Sequence, residues 1–555
     1  MATVAEAHSY IYCNGTLVYT QNKPDKRTLR ILDLHGSAET ETVVDIRALL
    51  DEAVPESRGT RKYKFYPIHY ANDIVTCRYT HDKSVPASWL VVFHVREYWT
   101  LHHELESIYK LFVRNNERHL IFGTHSHRGD DGHRRWVLSS CNLQTQTWDT
   151  PKIFLMDMAG SDLGSTISFD IFNNYFYGLS NLETFDDDGA DYSSYYYCFR
   201  FPLGHPARVE IPDRPSLWRR ENAEGSLDDR WTSLCLEMDD RTGRPKIVES
   251  RKEWRYGKRG AQRTYYAQEL PFPVDDGAGC EPSSSSQSEQ SETDITITTG
   301  EARKPVELGF LSRRAHNVHP GDNSSVMLLH TLSKTLIRSY NYSCSTFLDV
   351  VDEADDPGTQ RLRIRAGRRR PKPLDQQGGA GAVADAKYPE EDIERLYRGG
   401  SVASWPPEPD APGRTEAWRG PLSRLLNPSS HLGYAPGLGD NKSLILASGP
   451  GNGAFRRLTF VGFDSCVRLP GLASARGVVG EGKETQGAIP VQPDGHGAQT
   501  NTGKGRERAT QGYPTRLPAS DACDRAIKRG KPLRSWVSIE PGLYQTFPDG
   551  LDFSF

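Results

Sequence analysis

The feature that most restricts the fold of this chain is the alternation of short apolar runs with turn residues. Runs rich in Val, Ile, Tyr, Phe and Trp occupy residues 65–70, 74–79, 89–93 and 98–101. β-Branched and aromatic residues favour strands, and runs of this kind bounded by turns are typical of antiparallel sheets. The pair Asn14 and Gly15 predicts a tight hairpin, because both residues tolerate the positive φ of a type I′ turn. The chain is therefore predicted to be all-β.

Sets of about three or four strands recur along the chain, each over roughly 45–55 residues, which is close to the length of a propeller blade. The sequence therefore predicts a β-propeller-like fold of about six or seven blades, since closing the ring removes exposed strand edges. We expect residues 534–539 to close the ring. A pair of stacked sheets, as in a β-sandwich, is the alternative. Helices are predicted over residues 45–53 and 390–398.

We predict one β-propeller-like domain over residues 1–555, interrupted by three disordered insertions at 275–305, 355–386 and 473–519. The first is rich in Ser, the second has clusters of Arg and Gly, and the third is rich in Gly, Gln and Thr. Segments of this composition bury too little apolar surface to offset the entropy lost on folding. The basic cluster at 361–372 is interpreted as a solvated linker, with binding to nucleic acid or an import receptor as the alternative.

Composition restricts the partners. The 555 residues include 68 Lys and Arg against 72 Asp and Glu, which gives a net charge of −4 and excludes a strongly basic nucleic-acid-binding protein. No apolar run approaches the roughly 18–20 residues that cross a bilayer, and no signal peptide is expected. The nine cysteines never form a C-x-x-C pair, which favours a reduced cytoplasmic or nuclear protein. We therefore expect neither nucleic acid nor membrane as a partner.

The most metal-like cluster in the sequence contains His125, His127 and His133 together with Asp130 and Asp131. Two His at alternate positions of a strand share one face, and a third ligand would extend them into a zinc site. The segment is also Gly-rich and polar, which is typical of a hairpin loop, and we prefer that interpretation. We predict no metal, no cofactor and no catalytic residue in this chain.

A second group of residues combines Trp with Arg, the side chains that most often anchor protein interfaces. The candidate protein-binding residues are Trp218, Arg219, Arg220, Trp231, Arg251 and Trp254. The same side chains also pack between strands and between blades, which is the alternative for this group.

A set of strings along the chain has a recognisable form. They are LRILDLH (29–35), VDIRALLDEA (44–53), WLVVF (89–93), KLFVRNN (110–116), GTHS (123–126), GSDLGST (160–166), YFYGLSN (175–181), DDRW (228–231) and VESRKEW (248–254). These strings resemble fungal F-box domain-containing proteins. The resemblance covers about residues 10–270 and continues more weakly beyond them.

In that family an N-terminal F-box binds the Skp adaptor of a cullin ubiquitin ligase, and the propeller-like remainder holds the substrate protein. The L-P-x-E/D pattern of the F-box is not present in this sequence. The resemblance implies a non-enzymatic protein-interaction module, the substrate-recognition part of an F-box/cullin ubiquitin-ligase receptor without its F-box. The expected partners are a substrate protein and, through a docking segment not visible in the sequence, the Skp adaptor and cullin. The alternative function is a propeller-fold hydrolase with a metal or carboxylate site in the central channel.

Overall fold

The structure is a computed structural model that describes most of residues 1–272 and shorter ranges of the rest. Within 1–272 the residues left out are 24–25, 61, 82–86, 130–131, 150–151, 188–190, 213–216, 222–225, 229–231 and 255–261. The later described ranges are 338–341, 346–356, 359–368, 403–405, 419–427, 437–440, 442–449, 455–464, 466–467, 469 and 534–542. Two predicted insertions, 275–305 and 473–519, lie outside the described residues.

The described strands form seven antiparallel sheets, which are the blades of a β-propeller. The prediction of an all-β propeller is confirmed, with seven blades, and the β-sandwich alternative is wrong. Strands are numbered in chain order and given from the innermost to the outermost of each blade. Blade 1 contains β2 (Ser9–Cys13), β3 (Thr16–Asn22), β4 (Arg27–Asp33), β5 (Thr40–Asp45) and β30 (Val537–Pro541). Blade 2 contains β6 (Tyr63–Ala71), β7 (Ile74–His81), β8 (Ala87–His94) and β9 (Thr100–Leu105). Blade 3 contains β10 (Phe112–Asn115), β11 (His119–Arg128), β12 (Arg134–Asn142), β13 (Thr147–Trp148) and β14 (Ile153–Leu155).

The other four blades follow the same plan. Blade 4 contains β15 (Ile167–Phe172), β16 (Tyr175–Asp187), β17 (Asp191–Pro202) and β18 (Trp218–Glu221). Blade 5 contains β20 (Ser233–Asp239), β21 (Arg244–Trp254) and β22 (Gln262–Glu269), with β19 (Ser226–Leu227) beside the end of β21. Blade 6 contains β23 (Arg338–Asn341), β24 (Thr346–Asp356), β25 (Thr359–Arg368) and β26 (Ala403–Trp405). Blade 7 contains β27 (Gly437–Gly439), β28 (Ser443–Ser448), β29 (Arg456–Gly462) and β1 (Ala2–Ala7).

Helices are few in the described ranges. The helix predicted at 45–53 is confirmed as α1 (Ile46–Ala53), and the one predicted at 390–398 lies outside the described residues. A second helix, α2, covers Arg419–Leu426. Asp45 begins α1, because its carboxylate accepts hydrogen bonds from the backbone N–H groups of Arg47 and Ala48 at 3.0 and 3.1 Å. None of the helices in these ranges has the length and apolar character of a bilayer-spanning helix.

Neighbouring blades are joined by aromatic rings that the alternating strand pattern places on both faces of each sheet. At the junction of blades 3 and 4, the rings of Phe112 and Phe169 stack with centroids 4.3 Å apart. Trp136 meets Phe169 edge-on at 5.1 Å and is fully buried. Offset and edge-on ring pairs of this kind add about 0.5–1.5 kcal/mol to the burial of the rings themselves.

The predicted hairpin at Asn14 and Gly15 is confirmed. Both residues have positive φ, 45° at Asn14 and 83° at Gly15, and they join β2 to β3. A Cβ atom at Gly15 would lie only 2.2 Å from the ring of His35. Glycine is therefore required here twice, for the turn and for the approach of His35.

The ring is closed by the N-terminal strand, and the prediction that residues 534–539 close it is wrong. β1 pairs with β29 as the outermost strand of blade 7, and the chain continues directly into β2 of blade 1. β1 suits this position because its only exposed side chain is that of Glu6. The two blades also share hydrogen bonds, since the Ser443 hydroxyl lies 2.5 Å from the Tyr12 hydroxyl and 2.8 Å from His35 Nε2.

The C-terminal strand β30 has a different role, as the fifth and outermost strand of blade 1 beside β5. Trp536 precedes it and is 1% exposed, packed edge-on against Phe93 at 5.5 Å. The indole N–H of Trp536 donates to the carboxylate of Glu52 on α1 at 3.0 Å. The segment that leads into β30 is thereby attached to both α1 and blade 2.

The second predicted insertion, 355–386, differs from the structure at its start. Thr359–Arg368 is a strand that pairs with Thr346–Asp356 in blade 6, so residues 361–368 are not a solvated linker. The segment alternates Arg with apolar residues, and Leu362 and Ile364 are buried in the blade. That period of two is the pattern of a strand, and its high charge concealed it. Residues 369–386 lie outside the described part.

Replacing Trp536 tests the anchoring of β30. We expect Trp536→Ala to lower the free energy of unfolding by about 3–5 kcal/mol, because it leaves a large cavity and removes the hydrogen bond from the indole N–H to Glu52. Denaturant unfolding followed by far-UV circular dichroism measures the change. Trp536→Phe retains most of the ring packing and should cost less than half as much. Equal stability of Trp536→Ala and the unmodified protein would refute the anchoring role.

Candidate functional site

Two of the predicted arginines, Arg219 and Arg251, belong to a buried ion cluster between blades 4 and 5. Glu249 on β21 receives Arg219 Nη2 from β18 at 2.5 Å and Arg251 Nε at 2.7 Å. The Tyr196 hydroxyl donates to the same carboxylate at 2.7 Å, and Asn181 Nδ2 donates at 3.1 Å. Burial alone would raise the pKa of Glu249, but the two guanidinium groups outweigh it and hold that pKa well below its usual range.

Three of the six residues in this predicted group are therefore interior. Arg251 is fully buried, and Arg219 and Arg220 are buried as well. A buried side chain is not available as a surface anchor, so the packing alternative describes these three arginines and the interface assignment is corrected for them. Trp218 is half-buried on β18. Trp231 and the side chain of Trp254 lie outside the described part of the structure.

The metal-like histidines lie on a longer hairpin than predicted. β11 continues to Arg128 and β12 begins at Arg134, so His125 and His127 belong to a strand and only His133 is in the connecting turn. His127 packs on Phe154 with ring centroids 4.5 Å apart. Among the residues that the structure describes, no three His, Cys, Asp or Glu side chains form a group that would hold a metal ion. Asp130 and Asp131 lie outside those residues.

Next to this hairpin is a group of exposed apolar side chains. Ile108, Tyr109, Phe154 and Met156 are 43%, 45%, 46% and 51% exposed. Apolar residues that are exposed singly are ordinary, whereas a contiguous group marks a binding surface. The contacts of these four residues with the hairpin show how they are arranged.

These contacts place Tyr109 and Phe154 on opposite faces of the hairpin, because Arg134 and its neighbour Arg135, which lies opposite His127, point to opposite sides of β12. The Arg134 guanidinium lies 4.5 Å from the centre of the Tyr109 ring, and His127 contacts Phe154. Arg135 Nε donates to the backbone oxygen of Met156 at 3.1 Å. We define the blade 3 surface as the following residues: Ile108, Tyr109, His127, Arg128, Arg134, Phe154 and Met156.

The blade 3 surface lies on a rigid base. The buried Trp136 donates its indole N–H to the oxygen of Gly160 at 2.9 Å and so fixes the segment that follows β14. The backbone N–H of His125 donates to the oxygen of Tyr109 at 3.0 Å. Lys110, next to Tyr109, forms an ion pair with Asp162. The exposed side chains are thus held by backbone contacts on both sides, which reduces the entropy lost when a partner binds.

The described charged residues at the end of the hairpin are all basic. The register of β11 and β12 places Arg128 directly opposite Arg134, and His127 opposite Arg135. Arg128 and Arg134 are exposed, and neither forms an ion pair with any described residue. Like charges directly opposite in an antiparallel pair are destabilising. Among the residues that the structure describes, no carboxylate pairs with Arg128 or Arg134, and Asp130 and Asp131 of the intervening turn lie outside those residues.

A second polar region lies on the inner strands around the propeller axis. His69 of blade 2, Asp170 of blade 4 and Glu237 of blade 5 all belong to innermost strands. Arg114 of blade 3 lies 3.9 Å from Asp170, and its charge adds to the burial that lowers the pKa of His69 to about 3. Burial raises the pKa of Asp170 and raises that of Glu237 to about 7. These groups are less ionised than they would be in water.

The seam between blades 7 and 1 contains a Ser, His and Asp that lie close together without forming a catalytic triad. Ser443 Oγ is 2.8 Å from His35 Nε2, as in a nucleophile and base pair. The nearest carboxylate oxygen of Asp440 is 3.6 Å from that same nitrogen, whereas a triad places the acid on Nδ1. Ser443 is fully buried. This cluster joins the two blades.

The apolar members of the blade 3 surface were not predicted from the sequence. Phe154 and Met156 belong to a short apolar run, IFLM at 153–156, whose pattern does not distinguish an outer edge strand from a core strand. Tyr109 belongs to the apolar run 108–113, whose pattern predicts a single strand, whereas β10 begins only at Phe112. Arg128 and Arg134, at the two ends of the hairpin turn, are the residues in the sequence that indicate an exposed surface here.

No protein-family model matches this chain, and no curated protein matches it. Among solved structures, the WD40 domain of SCAP from fission yeast is 8% identical over 84% of this chain and 98% of that domain, with a TM-score of 0.33. The propeller domain of the Trilobed protease from Pyrococcus furiosus is 9% identical over 66% of this chain and 82% of that domain, with a TM-score of 0.29.

A third similar structure is the xylan beta-1,4-xylosidase from Bacillus halodurans C-125. It is 12% identical with a TM-score of 0.23, and the match covers 49% of this chain and 54% of the xylosidase. The chain therefore spans about half the length of that enzyme. Likenesses at these scores carry no inference about function.

The raised pKa of Glu237 can be tested through the pH dependence of stability. Because burial raises its pKa from 4.5 to about 7, the folded state keeps a proton that the unfolded state releases. The resulting stability is present below about pH 4.5 and is lost as the pH rises through about 7. We expect Glu237→Gln to raise the melting temperature at pH 8 relative to the unmodified protein, with little change at pH 4.5. The exposed Glu104→Gln is the control, and matching pH profiles for both variants would contradict the prediction.

Proposed function

We propose that this chain is a non-enzymatic protein-interaction module that holds its partner on the blade 3 surface. The observation that supports this function is the concentration of four exposed apolar side chains around one hairpin, on a base fixed by Trp136. Large apolar and aromatic residues that are already held in place lose little entropy on binding and exclude water from the contact. An isolated propeller with no partner would expose this area to water at a cost in solubility.

The resemblance to fungal F-box domain-containing proteins supports a more specific context. In this proposal the partner on the blade 3 surface is a substrate protein, and the chain acts beside an F-box/cullin ubiquitin ligase. Ubiquitin transfer would then be carried out by other subunits. The Skp adaptor and the cullin would bind elsewhere on the chain, so their capture is independent of the blade 3 surface.

Affinity purification from the native cells tests both parts. We expect the double variant Tyr109→Ser/Phe154→Ser to lose the proteins that mass spectrometry finds enriched with the unmodified chain. Recovery of the Skp adaptor and cullin with both forms would support the ligase context. The control is Val209→Ser/Ile211→Ser, which removes side chains that are 49% and 55% exposed elsewhere. Exposed substitutions change stability by less than about 0.5 kcal/mol, so all forms should melt alike. An unchanged set of partners in the first variant would exclude the blade 3 surface.

The inner strands support a second candidate, a hydrolase in the central channel. Such an enzyme needs one carboxyl group that donates a proton and another that stays ionised. Glu237, with its pKa raised to about 7, suits the donor, and Asp170 is the second carboxyl group, where the charge of Arg114 opposes the burial that raises its pKa. If this candidate holds, Asp170→Asn should abolish hydrolysis of a chromogenic glycoside or ester that the unmodified chain turns over. The same variant should leave the captured proteins unchanged. Absence of turnover by the unmodified chain removes this candidate.

A further inference from the structure

Blade 1 has a strand in addition to the four that make up most other blades. Blades 2, 4, 6 and 7 each consist of four described strands, and β2 to β5 give blade 1 the same four within residues 9–45. β30 is added outside them, along the outer edge of β5. Many proteins bind peptides in this way, by adding an extended segment to the free edge of a sheet. β30 thus occupies the edge of blade 1 as a bound peptide would.

The backbone of this segment is paired along its whole length. All five residues of β30 pair antiparallel with residues 40–44 of β5. At one end the N–H of Asp45 donates to the oxygen of Trp536 at 2.9 Å, and at the other the N–H of Gly542 donates to the oxygen of Glu39 at 2.8 Å. Main-chain pairing gives affinity, whereas pockets for the side chains give specificity.

Trp536 is the apolar anchor of the segment. Its ring is buried edge-on against Phe93 at 5.5 Å and Tyr98 at 6.4 Å. Its indole N–H donates to the carboxylate of Glu52 on α1 at 3.0 Å. A buried Trp whose polar atom is also bonded is a common hot spot of protein interfaces. The pocket between α1 and blade 2 therefore favours a Trp.

The two ends of this groove have opposite charges. At one end Glu52 also accepts a hydrogen bond from Arg534 at 3.2 Å. At the other end Arg30 is buried, and its Nε donates to Glu41 at 2.8 Å. The remaining nitrogens of Arg30, Nη1 and Nη2, donate to Glu540 at 3.0 and 2.9 Å. The groove is thus complementary to a segment with a basic residue before the Trp and an acidic residue after it.

The segment is also one of the less firmly held parts of the fold. β30 pairs with a single strand, and Val537 is its only fully buried residue. Segments with few buried side chains open locally, at a lower free energy than global unfolding. The contacts that close the ring, between β1 and β29 and at Ser443, do not include β30. Blade 1 therefore keeps its four-stranded sheet when β30 leaves. We define the blade 1 groove as the outer edge of β5 together with Arg30, Glu52, Phe93 and Tyr98.

We propose that the blade 1 groove binds an extended segment of a partner protein, and that residues 534–542 are its intramolecular occupant. The partner segment has the order found in this chain, with a basic residue two positions before a Trp and an acidic residue four positions after it. The partner binds by displacing β30, so binding is limited by competition within the chain. A second copy of this chain offers only an identical strand, and the tethered strand has the higher effective concentration.

Fluorescence anisotropy on the full-length chain tests this inference. The probe is a labelled peptide with the sequence of residues 534–542, RSWVSIEPG. We expect it to bind Trp536→Ala at least about tenfold more tightly than the unmodified chain, because a chain without its anchor leaves the groove open. Comparison peptides with Ala in place of the Trp, or Lys in place of the Glu, should bind Trp536→Ala at least about tenfold more weakly. Circular dichroism checks that this variant is folded.

A disulfide between β5 and β30 gives a second measurement on a chain that keeps Trp536. Thr42 and Ile539 lie directly opposite each other in the two strands. Oxidation of Thr42→Cys/Ile539→Cys should hold β30 in the groove and weaken peptide binding at least about tenfold relative to the reduced form. The control is Glu6→Cys/Arg457→Cys, an opposite pair in blade 7, which should bind the peptide equally in both redox states. This comparison decides alone if Trp536→Ala does not fold.

Several results would overturn the inference. They are equal peptide binding by the oxidised and reduced forms of Thr42→Cys/Ile539→Cys, equal binding of the peptides with and without Trp, and no detectable binding to any form. A dimer of the unmodified chain that Trp536→Ala abolishes, measured by light scattering, would assign the groove to the strand of a second copy instead. The peptide measurements do not involve the blade 3 surface, so the proposed function is tested separately.

Discussion

The rest of the structure depends on the junction between blade 7 and blade 1. Ala2 and Val4 of β1 lie in one buried cluster with Leu17 and Leu32 of blade 1 and Phe460 of blade 7. The hydroxyl and imidazole contacts at Ser443 join the same two blades. Because one continuous segment of chain supplies the last strand of blade 7 and the first strand of blade 1, the two blades are joined by a covalent bond as well as by packing. The closed ring holds blades 2 and 4 in place on either side of blade 3, and so fixes the position of the blade 3 surface.

Buried ion pairs are the second kind of contact that holds strands and blades together. Arg219 and Arg251 on Glu249 join blades 4 and 5, and Arg30 donates to Glu41 at 2.8 Å inside blade 1. Replacing one member of such a pair is costly because the other is left buried and charged, although the pair itself adds little net stability. These contacts therefore act mainly against wrong packing of one blade on the next. They also explain why clusters of Arg in this sequence are a poor guide to its binding surface.

The architecture was predictable and the site was not, for one physical reason. Strand alternation and turn residues are local, so the all-β fold, the Asn14 hairpin and α1 follow from short windows of sequence. Whether Arg251 is inside or outside depends on Glu249 and on a neighbouring blade, which no window contains. Ring closure by β1 was missed because its partner, Arg456–Gly462, is far along the chain. The exposure of Tyr109 and Phe154 likewise depends on the hairpin between them and on the outer position of β14.

The position of β1 has a consequence for biosynthesis. β1 pairs with Arg456–Gly462, which is synthesised several hundred residues later. Until then β1 and the strands of blade 1 present apolar side chains and unpaired strand edges to the cell, and closing so long a loop slows the final step of folding. At translation rates of about 5–20 residues per second, this exposed period lasts tens of seconds. The nascent chain is therefore a natural client of chaperones that bind extended apolar segments.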